Sequence, residues 1–273
     1  MRRLVVGCGY LGALVARLWR DAGDRVYATT RGSRADALSQ AGLRPLIMDV
    51  TQELASVALP AVDTVVFAVG RDRRSGATMA DIHEKGLRTV MDALSEFTGR
   101  VIYVSSTGVY NQDAGEWVDE TSVCEPVSEG GMACLAAERL LFAHARGQHA
   151  LVLRLAGLYG QGRVPLSAAV AAGRPIAGSP DAYLNLIHVE DAAGAVVAAA
   201  AAGPIAAATY VVSDGHPPTR GEYVGVLAAR MGMAPPPFEG GRDLGKRVRN
   251  DRAVHALGLR LQYPSYREGL AAE

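Results

Sequence analysis

Three glycines near the N-terminus restrict the fold more than any other feature. Gly7-Cys8-Gly9-Tyr10-Leu11-Gly12 follows directly on the apolar run Leu4–Val6 and leads into a helical pattern from Leu11 to Ala22. In such a strand–turn–helix unit the first glycine permits a tight turn, the second lets a ligand approach the backbone, and the third lets helix and strand pack closely. The N–H groups at the start of the helix lack intrahelical partners and favour an anion. The pattern predicts a dinucleotide whose pyrophosphate rests on Gly7, Gly9, Tyr10, Leu11 and Gly12. Taken alone, a glycine-rich turn is equally an ordinary strand-to-helix loop.

The rest of the first half repeats the same rhythm. Short apolar runs at Asp24–Thr29, Leu43–Met48, Thr64–Val69, Arg100–Ser105 and Ala150–Leu155 alternate with helical periodicity at Arg34–Gln40, Met79–Leu94 and Met132–Arg146. Strands apolar on both faces belong to a parallel sheet covered by helices, whereas a half-solvated sheet alternates polar with apolar. After Leu155 glycines and prolines mark turns around a short helix at Leu166–Ala172. Strand and helix signals resume at Asn185–His188, in an alanine-rich helix within Ala192–Ala208, and at Thr209–Val212. A helix at Arg220–Met231, a turn at Pro235–Pro237 and a final strand and tail complete the chain.

Composition narrows the function classes. The chain has 273 residues, 49% of them hydrophobic, enough for a full core. Lysine plus arginine balances aspartate plus glutamate at 28 each, so no net field draws in nucleic acid or an anionic membrane. Cys8, Cys124 and Cys134 show no metal-ligand or disulfide spacing, which fits a reducing compartment. The N-terminal apolar run is too short for an export signal, and Gly194, Gly203 and Pro204 break the longest apolar tract. A cytoplasmic protein with no nucleic-acid or membrane partner is expected.

Cofactor choice is read from the end of the second strand, Thr29-Thr30-Arg31-Gly32-Ser33-Arg34. No acidic residue stands there to bind a ribose 2′-hydroxyl, while Arg31 and Arg34 suit a 2′-phosphate, so NADP is expected over NAD. Two solvated arginines on a surface loop are the alternative. Asp49, after the third strand, is placed to contact the adenine or to cap a turn. Val69, ending the fourth strand, is grouped with the cofactor contacts.

Further motifs occur in order: Val104-Ser105-Ser106-Thr107-Gly108-Val109-Tyr110, Leu153-Arg154-Leu155-Ala156-Gly157-Leu158-Tyr159-Gly160, Ile187-His188-Val189-Glu190-Asp191, and a tail with Leu257-Gly258, Pro264 and Glu268-Gly269-Leu270. With the glycine turn, this series resembles the extended short-chain dehydrogenase/reductases, which include nucleotide-sugar epimerases and dehydratases, over nearly the whole chain. The resemblance implies a Rossmann-type doubly wound parallel sheet in residues 1–160, rejoined by 184–213, and a smaller C-terminal lobe at 161–273 that closes over the substrate. It implies NAD(P)-dependent chemistry on a hydroxyl or carbonyl of a small, sugar-like molecule, and a homodimer. Ser106 corresponds to the family's serine or threonine that hydrogen-bonds the reacting oxygen, or else simply caps the strand end.

The family's acid/base unit, Tyr-x-x-x-Lys, is missing. Aligning Leu135-Ala136-Ala137-Glu138-Arg139 places Gly130 at the tyrosine and Cys134 at the lysine. The chain is thus similar to an atypical branch of NAD-dependent epimerase/dehydratases that keeps the cofactor site without that pair. A non-catalytic NAD(P)H sensor is the alternative to an enzyme. Replacement groups are His83, where the family places an asparagine; Glu129; Tyr110 and Tyr159 at strand ends; and His188 with Asp191. Each has a bland role as well: packing for the tyrosines and His83, a favourable helix-dipole contact for Glu129, a helix cap for Asp191. Cys134 is a redox-sensing thiol or a small buried filler.

Overall fold

The computed structural model describes residues 1–52, 59–72, 74–96, 98–203 and 208–272. A seven-stranded sheet organises the chain. Its first five strands are β1 (Arg2–Val6), β2 (Arg25–Thr30), β3 (Arg44–Ile47), β4 (Thr64–Phe67) and β5 (Arg100–Ser106), and Leu151–Leu155 and Ala208–Val212 complete it. The order across the sheet is Ala208–Val212, Leu151–Leu155, β5, β4, β1, β2, β3. The β1–β2, β1–β4, β2–β3 and β4–β5 pairs all run parallel. The chain winds from β1 outward to β3, then returns to β4 on the other side of β1. That reversal creates a switch point between β1 and β4, where ligands bind in open α/β sheets.

Burial explains why these segments are strands. Every residue of β4 and of Leu151–Leu155 is buried, as expected for strands packed on both faces. Helix α1 (Tyr10–Asp21) buries Leu11, Gly12, Val15, Ala16 and Trp19, the three-to-four spacing of one helical face. The short α2 (Ala35–Gln40) follows β2. The stretch read as one helix at Met79–Leu94 is instead two forms: a π-helical turn at Asp81–Lys85 runs into α3 (Gly86–Ala93). Helix α4 (Glu129–Ala143) starts where Ser128 Oγ accepts from Gly131 N at 3.1 Å. The alanine-rich tract forms a helix at Val189–Ala201, and Pro204 lies outside the described residues. No helix among the described residues is long and apolar enough to cross a membrane.

The contacts divide the chain into two compact units. The first comprises 1–109, 126–154 and 193–210. Its core includes Leu4, Val65, Phe67, Leu87, Met91, Tyr103 and Leu141. The second comprises 110–125, 155–192 and 211–273, with a core that includes Tyr159, Val170, Leu186, Tyr223, Leu227, Tyr266 and Leu270. Within it, Ala114–Val118 pairs with Gly245–Val248, Gly157–Tyr159 with Leu186–His188, and Ile176–Ala177 with Phe238–Glu239, each in parallel. The tail departs from expectation. After the strand Gly245–Val248 come two short helices, Asp251–Leu257 and Tyr266–Ala272.

Candidate functional site

The glycine turn joins β1 to α1, and each glycine meets a different physical demand. Gly7 has φ +92°, and a Cβ there would lie 2.6 Å from Val69 N and 2.7 Å from Ala68 O, so the turn admits no side chain against the end of β4. Gly12 has no positive φ, but its Cβ would lie 2.2 Å from Gly7 O; its bare backbone lets α1 pack on the turn. A Cβ on Gly9 would meet nothing within 4 Å. No packing demand explains that glycine, and the open space beside it suits the close approach of a ligand. Gly9 is also the N-cap of α1 and carries no capping side chain. The first intrahelical bond is Ala13 N to Gly9 O at 2.9 Å, so the Leu11 and Gly12 amides precede the helix ladder. With no acidic residue in the first turn, the positive end of the helix dipole is uncompensated.

A cavity of about 230 Å³ opens beside this turn and is lined by Gly7, Cys8, Gly9, Thr29, Thr30, Arg31, Ser33, Arg34, Asp49, Val69 and Asp72, among others. The structure thus brings together seven of the sequence-derived cofactor residues: Gly7, Gly9, Arg31, Arg34, Asp49 and Val69 on the wall, and Gly12 behind the turn. Leu11 is buried against the sheet, and Tyr10 is half-buried at the head of α1. Arg34 Nη1 donates to Cys8 O at 2.9 Å, tying the end of β2 to the glycine turn. Arg31 Nη2 pairs with Asp72 Oδ2 at 2.6 Å. Asp49 Oδ1 accepts from Thr51 N at 2.9 Å and from Thr51 Oγ1 at 2.7 Å, the local turn that was one of its two readings.

The region around Ser106 is a buried polar network. Ser106 Oγ accepts from Gly108 N at 3.0 Å, which uses an oxygen lone pair and leaves the hydroxyl proton to be donated elsewhere. Helix α4 passes close by: a Cβ on Gly131 would lie 2.2 Å from Gly108 O. Gly130, at the vacated tyrosine position, has only Met79 Cε within reach of such a Cβ, at 3.4 Å. Cys134 is buried, and burial pushes its thiol pKa up, with the neighbouring Tyr103 and Ser105 hydroxyls only partly opposing it. Tyr103 Oη lies 2.8 Å from His83 Nδ1. Burial drives the Tyr103 hydroxyl well above its usual range and pushes the His83 imidazole down to about 4. Behind them, Glu138 binds Arg154 (Oε2–Nη2 2.7 Å) and accepts from Ser105 Oγ at 2.5 Å.

The other candidates have structural partners. Glu129 points outward, accepting from Met79 N at 3.0 Å and pairing with Arg71 at 3.2 Å. In the second unit, Tyr110 Oη donates to Asp119 O at 2.7 Å. Tyr159 is fully buried, its hydroxyl 3.4 Å from Ser265 O and its ring edge-on to His188 at 5.3 Å. Asp191 accepts from the Gln262 and Tyr263 amides at 2.7 and 2.9 Å, anchoring the segment before the last helix, whereas His188 Nδ1 receives the Glu190 amide. Sequence reasoning passed over Asp214, a buried carboxyl pushed up to about 7 by burial, whose Oδ2 has no hydrogen-bond partner. It also passed over Tyr103 and Asp72; a tyrosine inside an apolar strand reads as core, and an aspartate in a charged loop reads as solvated.

Comparison with known proteins agrees with this geometry. The family model for the NAD dependent epimerase/dehydratase family matches residues 3–212, from β1 through the last strand of the sheet. Protein YeeZ of Escherichia coli strain K12 is 31% identical over 277 aligned positions, covering 95% of each chain. A solved structure from Methylobacillus flagellatus, described as an NAD-dependent epimerase/dehydratase, is 30% identical with a TM-score of 0.81, over 99% of this chain and 96% of that one. MoeE5, solved in complex with UDP-glucose and NAD, is 25% identical with a TM-score of 0.81, over 99% and 96%. With the match running from the glycine turn to the strand Ala208–Val212, the chain belongs to the NAD dependent epimerase/dehydratase family.

Proposed function

We propose that the protein binds a nicotinamide dinucleotide at the glycine turn, NADP in preference to NAD, and acts on a hydroxyl or carbonyl of a small nucleotide-sugar-like substrate. The open space at Gly9, beside uncapped amides of α1, carries this reading. A helix N-terminus without a capping side chain, next to a glycine that packing does not require, fits a diphosphate. Arg31 and Arg34 on the cavity wall support a 2′-phosphate, and the family's NAD dependence and the UDP-glucose bound by MoeE5 support the chemistry and the substrate class. A nicotinamide held at the glycine turn would supply hydride exchange at a substrate carbon. Ser106 would hold the reacting oxygen by a hydrogen bond from its hydroxyl, with its own oxygen oriented by the Gly108 amide.

One observation favours a second reading, a cofactor-binding sensor without turnover. Gly130 offers no proton, and the Cys134 thiol is buried with a raised pKa. A single experiment separates the two: titrate the protein with NADPH and NADP, then follow absorbance of the reduced nucleotide against a panel of carbonyl compounds and sugar nucleotides. Tight binding with turnover establishes the enzyme. Tight binding without turnover across the panel establishes the sensor, and no binding of either nucleotide rejects both.

A further inference from the structure

We infer that Asp72 tunes cofactor choice, holding the preference for NADP below the level that Arg31 and Arg34 alone would set. This rests on reading the cavity as the dinucleotide site. Arg31 leaves the end of β2, the position from which a side chain reaches an adenosine ribose in this fold. Its guanidinium is already engaged, with Nη2 2.6 Å from Asp72 Oδ2 on the loop after β4. Asp72 is held in turn by that loop. Its Oδ1 accepts from Arg74 N at 3.0 Å and Nε at 3.2 Å, and Ser75 Oγ donates to its carbonyl at 2.8 Å. Asp72, Arg31, Arg34 and Ser75 all line the same cavity.

A 2′-phosphate and the Asp72 carboxylate therefore compete for one guanidinium. Binding NADP must displace the carboxylate or place two anions on Arg31, and either course weakens it. NAD carries a 2′-hydroxyl there, which a carboxylate accepts without repulsion. Arg34 keeps its charge and further donors beyond the bond to Cys8 O, so part of any NADP preference survives the capture of Arg31. Net preference is thus a balance in which Asp72, from a loop 41 residues away from Arg31, adds its charge to that of Asp49 on the cavity wall and is itself shared with Arg74.

Asp72→Asn tests this, because asparagine keeps an oxygen for the Arg74 amide while removing the charge. Affinities of NADP and NAD are measured by calorimetry for the wild type, Asp72→Asn, Arg31→Gln and the double variant. An exposed ion pair is weak, so NADP should bind about two- to five-fold tighter to Asp72→Asn while NAD binds no better. In the Arg31→Gln background the gain should vanish, because the guanidinium contested by carboxylate and phosphate is gone. An unchanged NADP-to-NAD ratio in Asp72→Asn, or a gain that persists without Arg31, overturns the inference while leaving the site intact. If the wild type binds neither nucleotide, the site reading itself fails and this inference with it.

Discussion

Gly9→Ser separates binding from folding at the glycine turn. Gly9 has φ −93°, so a side chain there meets no left-handed strain, and its Cβ would meet nothing within 4 Å. The new hydroxyl would stand at the N-cap of α1, where serine is favoured over glycine by a few tenths of a kcal/mol. Stability without ligand should change by less than about 0.5 kcal/mol, or about 1–2 °C in Tm. Binding should suffer twice, because the side chain fills the space left for the pyrophosphate and its oxygen competes for the Leu11 or Gly12 amide. Losing one hydrogen bond to a charged group costs about 1.5–3 kcal/mol, a weakening of about ten- to hundred-fold. Gly7→Ala is the contrast: its φ of +92° alone costs about 1–2 kcal/mol and its Cβ strikes the backbone of Ala68 and Val69, so that variant should lose stability first. Urea denaturation and NADPH fluorescence titration on both variants suffice. Wild-type affinity in Gly9→Ser, or a stability loss matching that of Gly7→Ala, would refute the assignment of separate roles to the glycines.

Three further outcomes follow from the buried polar groups. Glu138→Gln strands the Arg154 charge in the interior and should cost about 3–5 kcal/mol in urea unfolding, and a loss under about 1 kcal/mol would contradict the burial of that pair. Tyr103→Phe leaves His83 Nδ1 without its hydroxyl partner and should cost about 1–3 kcal/mol, measured as a shift in urea midpoint at constant slope. The pH profile has opposing limbs. His83 is depressed from 6.5 to about 4, so its contribution is full above pH 6.5 and is lost as pH falls through 4, because the unfolded chain takes up the proton first. Asp214 is raised from 3.8 to about 7, so its contribution is full below pH 3.8 and is lost as pH rises through 7. Asp214→Asn should therefore stabilise the protein relative to wild type at pH 8 more than at pH 5, and equal effects at both pH values in thermal melts would exclude the buried carboxyl as the cause.

The sheet could be read before the structure because its signals are local. Runs such as Thr64–Phe67 are apolar on both faces, and α1 shows a clean helical face; the observed ends differ from the expected ones by a residue or two. The final strand was expected, but the helices of the tail were not, for the same reason. Asp251–Leu257 spans only seven residues with Ala253 and Leu257 its buried positions, too short for periodicity to separate helix from loop. The pairing of Ala114–Val118 with Gly245–Val248 depends on a partner far along the chain, and nothing within either strand specifies it.

The site follows the same division, which bears on its chemistry. The three glycines were legible because their spacing between β1 and α1 is local, even though the close approach at Gly7 comes from Ala68 and Val69 beyond β4. Asp72 and the Tyr103–Cys134 contact were not, because each acts through a side chain brought in by the sheet. Gly130 shows what this means for function. Its loss of a proton donor is plain in the sequence, yet the structure adds that the surrounding buried groups do not restore one. His83 is held neutral by burial, Tyr103 is driven to high pKa, Cys134 is raised, and Glu138 is committed to Arg154. A buried network in which His83, Tyr103 and Cys134 are held neutral beside one ion pair favours holding α4 and β5 in register over shuttling protons at neutral pH. On the proposed function, turnover would rest on the Ser106 hydrogen bond and on groups of the substrate itself, so catalysis should depend more on substrate acidity than in an enzyme with a tyrosine at this position. Rates measured across substrates of graded acidity would show a steep dependence if this holds, and a flat one would mean that the protein supplies a proton donor of its own.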